Sequence, residues 1–424
     1  MAFRYSDKYK KYSLDMHVNV TRDEFLKQFD PEALAKDIIS TGAEAGMMYI
    51  QSHYGYSYWP TKVGEMHPGL IGNEDAFKRL YDEMHKGGMD VDVYFSMIYN
   101  NWAYDHHPEW RIKDIDGHYS RDKGRRFGLC CPNSEGYKKF CRDQIADFTE
   151  YVGPYEAFFA DMTFWPTVCY CDNCRARWEK EVGGEMPRIV NWKDERWKLF
   201  QRKREEWLQD YMQYIYDSVK MVNPGAVVEM QNSTMPASWM MGVTENATIA
   251  SDAVSGDLYG GFSQQTFACK MYYNMTPNLP FNYTTSRCEP SLDEHTTIKS
   301  EVMMKLHAML SFINHGSNIF VDAVDMTGTY EPLVYSRLKN VYDDAAKFEK
   351  YFSKGKPCTD TICMASTTRR CRLWTSLRAR TSAGQYRILT AASMSAKRCR
   401  ERIYPTACIP ASTLSSGAKQ KCLS

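Results

Sequence analysis

The chain has 424 residues, 25% charged and 43% hydrophobic, a globular balance with room for one large α/β domain and something smaller. No apolar run approaches 18 residues, and Met1 to Lys11 is polar and basic, so neither a membrane span nor a secretory signal is expected and a cytoplasmic location is. Of 53 Lys+Arg and 52 Asp+Glu, 12 and 2 fall between Thr359 and Ser424, leaving 41 and 50 in a mildly acidic body.

Apolar strand-like runs lie near 14–19, 46–51, 91–97, 156–161, 226–231, 248–254, 280–285 and 317–322. Helical patterns fall between them, over Pro31–Gly42, Asn73–Lys86, Glu135–Tyr151, Asp194–Val222, Leu292–His315 and Pro332–Phe352. The intervals 232–247 and 261–276 are less clearly helical. Eight βα units predict a (β/α)8 TIM barrel over residues 10–356, followed by a basic tail. A doubly wound open sheet is the alternative, but no G-x-G-x-x-G follows the first strand.

Barrel chemistry gathers at strand C-terminal ends. There the sequence places His17 and Asn19, then His53, Tyr54 and Tyr56, then Tyr94, Ser96, Asn101 and Trp102. Asp161 ends the fourth strand, after the apolar run Phe158 to Ala160. Glu229, Gln231 and Asn232 end the fifth, Asp252 and Asp257 follow the sixth, Ser286 and Arg287 end the seventh, and Asp322 and Asp325 the eighth. An Asp at such a place also serves as an ordinary loop opener, and turns are polar everywhere. All eight strands ending this way points to a shared site.

No P-loop, G-x-S-x-G or H-E-x-x-H is present. Converging carboxylates and rings suit glycoside hydrolysis, which needs one carboxylate ionised and a second protonated. Asp161 is the expected nucleophile and Glu229 the expected acid/base, with Asp257 and Glu289 as rivals. His17, His53, Tyr54 and Trp59 are expected to hold the sugar, with Tyr94, Asn101, Trp102 and Arg287 nearby.

These motifs resemble a known family. His53-Tyr-Gly-Tyr-Ser-Tyr-Trp59-Pro-Thr61 resembles the second-strand motif of α-L-fucosidases. Val93-Tyr-Phe-Ser96 with Asn101-Trp102 resembles their third strand, and Phe159-Ala-Asp161-Met-Thr-Phe-Trp-Pro their nucleophile strand. Thr284-Thr-Ser-Arg287 with Asp293-Glu-His295-Thr-Thr-Ile-Lys299-Ser resembles a later motif. The likeness is to the family 151 group, with its hypothetical glycosyl hydrolase 6 barrel, more than to family 29. It covers roughly residues 10–353. It implies a retaining α-L-fucosidase with an Asp nucleophile, a fucosylated oligosaccharide or small glycoside as substrate, and no catalytic cofactor, nucleic acid or membrane partner. Relatives usually continue into further domains, one of them linked to homo-oligomerisation.

Fourteen cysteines are present. Cys169-Tyr-Cys171-Asp-Asn-Cys174 follows the Asp161 strand, and three thiolates with a fourth from elsewhere would make a closed structural zinc site. Cys131 is the expected fourth ligand and Cys130 the runner-up. Reduced, metal-free thiols are the other reading. Family 42 β-galactosidases carry a similar constellation around a structural zinc, so a β-galactosidase-like glycosidase is one alternative function. A non-catalytic sugar-binding barrel, or an inactive truncated product, is another.

After Lys356 the barrel pattern stops, and Arg, Ser, Thr, Ala and Cys dominate residues 357–424. That composition predicts a low-order tail, read here as a frame-shifted, non-native ending rather than a nucleic-acid-binding arm.

Overall fold

The computed structural model describes residues 7–352 apart from 236, and the backbone of two short strands beyond them. Eight strands run in chain order: β1 Lys10–Asp15, β2 Ala45–Gln51, β3 Asp90–Ser96, β4 Ala157–Asp161, β5 Val227–Gln231, β6 Ala253–Asp257, β7 Phe281–Ser286 and β8 Gly316–Ala323. Each pairs in parallel with the next, and β8 returns to β1, closing the barrel. Closure excludes the open doubly wound sheet and bears out the (β/α)8 expectation.

Among the described residues ten α-helices accompany them: α1 Pro31–Ser40, α2 Ala76–Lys86, α3 Asn101–His106, α4 Glu135–Val152, α5 Asp172–Glu181, α6 Glu195–Val222, α7 Phe262–Met275, α8 Glu301–Phe312, α9 Pro332–Ala346 and α10 Glu349–Phe352. Their starts are written in the sequence. Asp30 caps α1 by accepting from Ala33 N at 2.9 Å, with Pro31 at the first position, and Ser134 caps α4. Along α6, Trp197, Phe200, Trp207, Tyr211 and Ile215 recur at helical spacing and are buried. No helix among the described residues is long and apolar enough to cross a membrane.

Two strands lie elsewhere than expected. The first begins at Lys10 rather than near residue 14, because two lysines at its start hide a segment that is buried throughout. The sixth covers Ala253–Asp257, whereas the apolar stretch before it, Glu245–Ala250, forms a 3-10 helix. The interval 261–276, less clearly helical in sequence, holds α7. The loop 292–300 before α8 is irregular, so that helix starts nine residues later than expected.

The barrel interior is layered. In its lower part Asn282 links β7 to its neighbours: its Oδ1 accepts from Lys11 Nζ at 2.8 Å and from Ser317 Oγ, and its Nδ2 donates to Glu229 Oε1. Burial lowers the Lys11 pKa to about 8, although the Glu229 charge opposes this. The layer above, at the C-terminal ends, opens into a cleft. Beyond residue 352, Thr361–Met364 and Thr406–Ile409 pair in parallel, and the rest of the tail lies outside the described residues.

Candidate active site

A cavity of about 270 Å³ opens at the C-terminal face of the barrel. Its inner wall comes from residues at strand ends, among them Asp15, Tyr49, Tyr94, Phe159, Asp161 and Asp257. His17 and His53 follow β1 and β2 into it, and Arg126, Phe127, Asp293 and His295 reach it from longer loops.

Asp161 is 6% exposed. Its Oδ2 accepts from Tyr94 Oη and lies 4.0 Å from His53 Nε2. Met162, the next residue, has a left-handed φ of 56°, so the chain turns away sharply once the carboxylate is in place. Burial pushes the Asp161 carboxyl up to about 7, helped by the negative charge of Asp257 and opposed by the Tyr94 hydrogen bond. Asp257 is held by three donors: Gln231 Nε2 at 2.7 Å, Tyr259 Oη at 2.8 Å and Ser233 Oγ at 3.3 Å.

The histidines are arranged around Asp161. His17 Nδ1 sits 2.5 Å from Asp15 Oδ1, whose oxygen also accepts from the His17 backbone N–H. Burial raises the Asp15 carboxyl, but the contact with His17 outweighs it and holds the group below its ordinary value. His17 Nε2 is buried without a partner among the described residues, and its ring lies 4.0 Å from that of His53. His53 Nδ1 lies 2.7 Å from Ser96 Oγ, and burial with the nearby His17 and Arg126 charges pushes its pKa well below the ordinary value, leaving it neutral. Tyr49 and Tyr94 stack at 3.6 Å to form a wall beside them.

Several expected residues are elsewhere. Glu229 pairs in register with Phe159, two residues before Asp161, which sets it one side-chain layer deeper. It is 0% exposed, bonded to Asn282, and does not line the cleft, so the acid/base expectation does not stand on its position. Burial raises its pKa, and Lys11 opposes that. Glu229→Gln should therefore lower stability, by about 3 kcal/mol, because Lys11 loses a buried counter-charge. Turnover per folded molecule should stay within about tenfold. A thousandfold loss at unchanged stability would return Glu229 to the chemistry.

Trp59 is 0% exposed, donates to Asp147 Oδ2 on α4 at 2.9 Å and packs on Phe148, so it anchors the loop after β2 rather than a sugar. Asn101 accepts from Gly128 N at 2.6 Å and gives its backbone N–H to His53 O, tying two loops together. Trp102 donates to Glu65 and stacks between His106 and Phe140 away from the cleft. Tyr54 lies beneath Arg126 rather than in the lining. Arg287 also acts from behind. Its Nε donates to Asp322 at 2.7 Å and its Nη1 to the carbonyls of His295 and Thr297, fixing the loop that brings Asp293 and His295 to the cleft. Glu289 does not line the cleft. Asp15, Tyr49, Arg126 and Phe127 were not singled out from sequence, although Asp15 stands two residues before His17 at a strand end.

Beside this site four thiols converge. Cys131 precedes α4, Cys169 and Cys171 lie in the loop after β4, and Cys174 is in the first turn of α5. All four are buried, with sulfur atoms within 4.8 Å of one another. A zinc–sulfur bond of about 2.3 Å sets tetrahedral sulfurs about 3.8 Å apart, so this donor set fits the ion. Hydrogen bonds from the neighbouring thiols lower the Cys171 pKa, while burial raises Cys131 and Cys174. Cys130 points elsewhere, to Asn100 O at 3.8 Å.

The sequence description of the family "Alpha-L-fucosidase" matches residues 3–258, more than half of the chain and including Asp161 and Asp257. The chain belongs to the alpha-L-fucosidase family. Its fold is similar to that of alpha-L-fucosidase isoenzyme 2 from Paenibacillus thiaminolyticus, with a TM-score of 0.76 at 14% identity. That match covers 95% of this chain and 58% of the other, so this family member spans little more than half of that protein's length. Two β-galactosidases share the fold. The one from Halorubrum lacusprofundi has a TM-score of 0.67 at 14% identity, covering 96% of this chain and 67% of that one. The one from Rahnella sp. R3 has a TM-score of 0.69 at 10% identity, covering 95% and 65%. No curated protein sequence matches the chain.

Proposed function

We propose that this member of the alpha-L-fucosidase family is a retaining, exo-acting α-L-fucosidase in which Asp161 is the nucleophile and Asp257 the acid/base. The observation that carries the reading is that Asp161 and Asp257 line one cleft, with the charge of Asp257 raising the Asp161 carboxyl. Asp15, the other carboxylate at a strand end there, is engaged by His17. In the first step an Asp161 oxygen forms a bond to the anomeric carbon as the bond to the leaving oxygen breaks, and Asp257 gives that oxygen a proton. Water then attacks the same carbon, Asp257 takes the water's proton, and Asp161 is released. His17 and neutral His53 supply hydrogen bonds to sugar hydroxyls. Hydrolysis of 4-nitrophenyl α-L-fucoside without hydrolysis of the β-D-galactoside is the expected result. The reverse preference would make the β-galactosidase-like alternative the better account.

Asp161 attacks only as the carboxylate, and its pKa is pushed up to about 7 by burial first and then by the charge of Asp257. With a dinitrophenyl fucoside, whose leaving group needs no acid, wild-type kcat/KM should therefore rise as pH rises through about 7. In Asp257→Asn the smaller of those two causes is gone, so the rise should move to lower pH without disappearing. A rise at an unchanged pH in this variant would remove Asp257 from the surroundings of Asp161.

The thiol cluster would hold a structural zinc through Cys131, Cys169, Cys171 and Cys174. With four thiolates the ion has no open position, so it would cross-link the segment before α4 to the loop after β4 and the start of α5, and supply no chemistry.

A further inference from the structure

The sequence of the loop between α3 and α4 carries a dense basic run, Arg121 to Arg126, in a body that is acidic overall. Two of its charges are neutralised at once. Arg121 pairs with Asp105 at 2.7 Å, and Lys123 pairs with Asp114. Arg126 has no carboxylate partner among the described residues. Its Nε and Nη2 both donate to Tyr54 Oη, at 2.9 and 2.7 Å. Its guanidinium lies over the rings of Tyr54 and Phe127, with its carbon 5.4 and 4.9 Å from their centroids.

That arrangement differs from a loose surface arginine. Tyr54 is buried, and its hydroxyl fixes one edge of the fork while two rings fix the plane. A guanidinium held this way loses little further freedom when it binds, and its unused N–H groups match the paired oxygens of a carboxylate or sulfate. The place is informative as well. Arg126 lines the cleft yet is exposed, whereas Asp161 is buried at the floor. A sugar whose anomeric carbon meets Asp161 fills the floor, so Arg126 faces what is attached to that sugar. The neighbouring Arg125, whose charge is felt at Tyr99, adds to the positive potential on this side.

We propose that Arg126 is an anion-recognition point at the mouth of the cleft, and that the substrates are α-L-fucosides whose leaving group carries a sulfate or carboxylate. The inference rests on the fucosidase reading. Tyr54 acts through Arg126 and is a positioning residue.

Binding to the Asp161→Asn variant of the whole chain, measured by titration calorimetry, tests this without turnover. The probes are phenyl α-L-fucosides bearing a 4-sulfooxy, a 4-carboxy or an uncharged 4-carbamoyl group. One or both anionic probes should bind about ten- to a hundredfold more tightly than the carbamoyl probe. Whichever binds tighter identifies the anion. Adding Arg126→Met should bring the ratio of anionic to uncharged affinity to within about twofold, and Arg126→Lys should restore part of it. The ratio is insensitive to any general loosening of the site. Equal affinity for all three probes, or a ratio unchanged in Arg126→Met, overturns the proposal. If the wild-type chain meanwhile hydrolyses 4-nitrophenyl α-L-fucoside, the fucosidase reading survives alone. If no fucoside is bound or hydrolysed, both fall.

Discussion

Asp161→Asn should lower kcat for aryl α-L-fucosides by about 10³-fold or more, because an amide oxygen cannot form the glycosyl-enzyme bond. The fold should tolerate the change, since the amide still accepts from Tyr94. It should in fact be more stable at neutral pH and above. The folded carboxyl is raised from 3.8 to about 7 by burial and by Asp257. A raised acid contributes stability that is fully present below its unfolded pKa and is lost as pH rises through its folded pKa. The wild type therefore carries the whole penalty, of the order of a few kcal/mol, at pH 8 and part of it at pH 5. Melting temperatures of wild type and variant should diverge as pH rises from 5 to 8, with the variant higher. Azide should partly rescue turnover of an Asp161→Gly variant by attacking in place of the carboxylate. Near-normal turnover in Asp161→Asn would end the nucleophile assignment, whatever the melting data show.

The barrel could be read from sequence because each strand is a buried apolar run set between amphipathic helices, and that pattern depends only on local order. Its failures have local causes too. Lys10 and Lys11 disguise the start of β1, since a barrel interior can hold a lysine if Asn282 and Glu229 meet it. The site was legible where a residue stands at the last inward position of a strand, as Asp161 and Asp257 do. Glu229 shows the limit of that rule. It is two residues short of the end of β5, and two residues along a strand is one full side-chain layer. Trp59 and Trp102 show another limit, because an aromatic after a strand packs as readily under a loop as over a sugar. Gly55 explains part of this turn. Its φ is +80°, and a Cβ there would meet the Asn100 side chain at 2.0 Å, so the loop folds back closely on its neighbour. Arg126, Phe127 and Asp293 come from long loops whose path no periodicity announces.

Removing metal from the four-thiol cluster should have the largest effect on stability. Cys131, Cys169, Cys171 and Cys174 join the segment before α4 to the loop after β4 and to α5. The loop after β4 leaves directly from the strand that ends in Asp161. Protein purified under reducing conditions should contain about one zinc per chain by elemental analysis. Stripping it should lower the melting temperature by about 5–10 °C, because four buried thiols must then keep their protons or repel one another. Cys131→Ser should lose the zinc and melt like the stripped protein. Cys130→Ser should keep it, since the Cys130 thiol is directed at Asn100 O and takes no part in the cluster. Fucoside hydrolysis at temperatures well below melting should change by less than about tenfold, as a closed site offers the substrate no coordination position. Purified wild-type chain with no bound metal, and a melting temperature indifferent to added zinc, would reduce the cluster to four packed thiols. Loss of zinc in Cys130→Ser with retention in Cys131→Ser would reassign the fourth ligand.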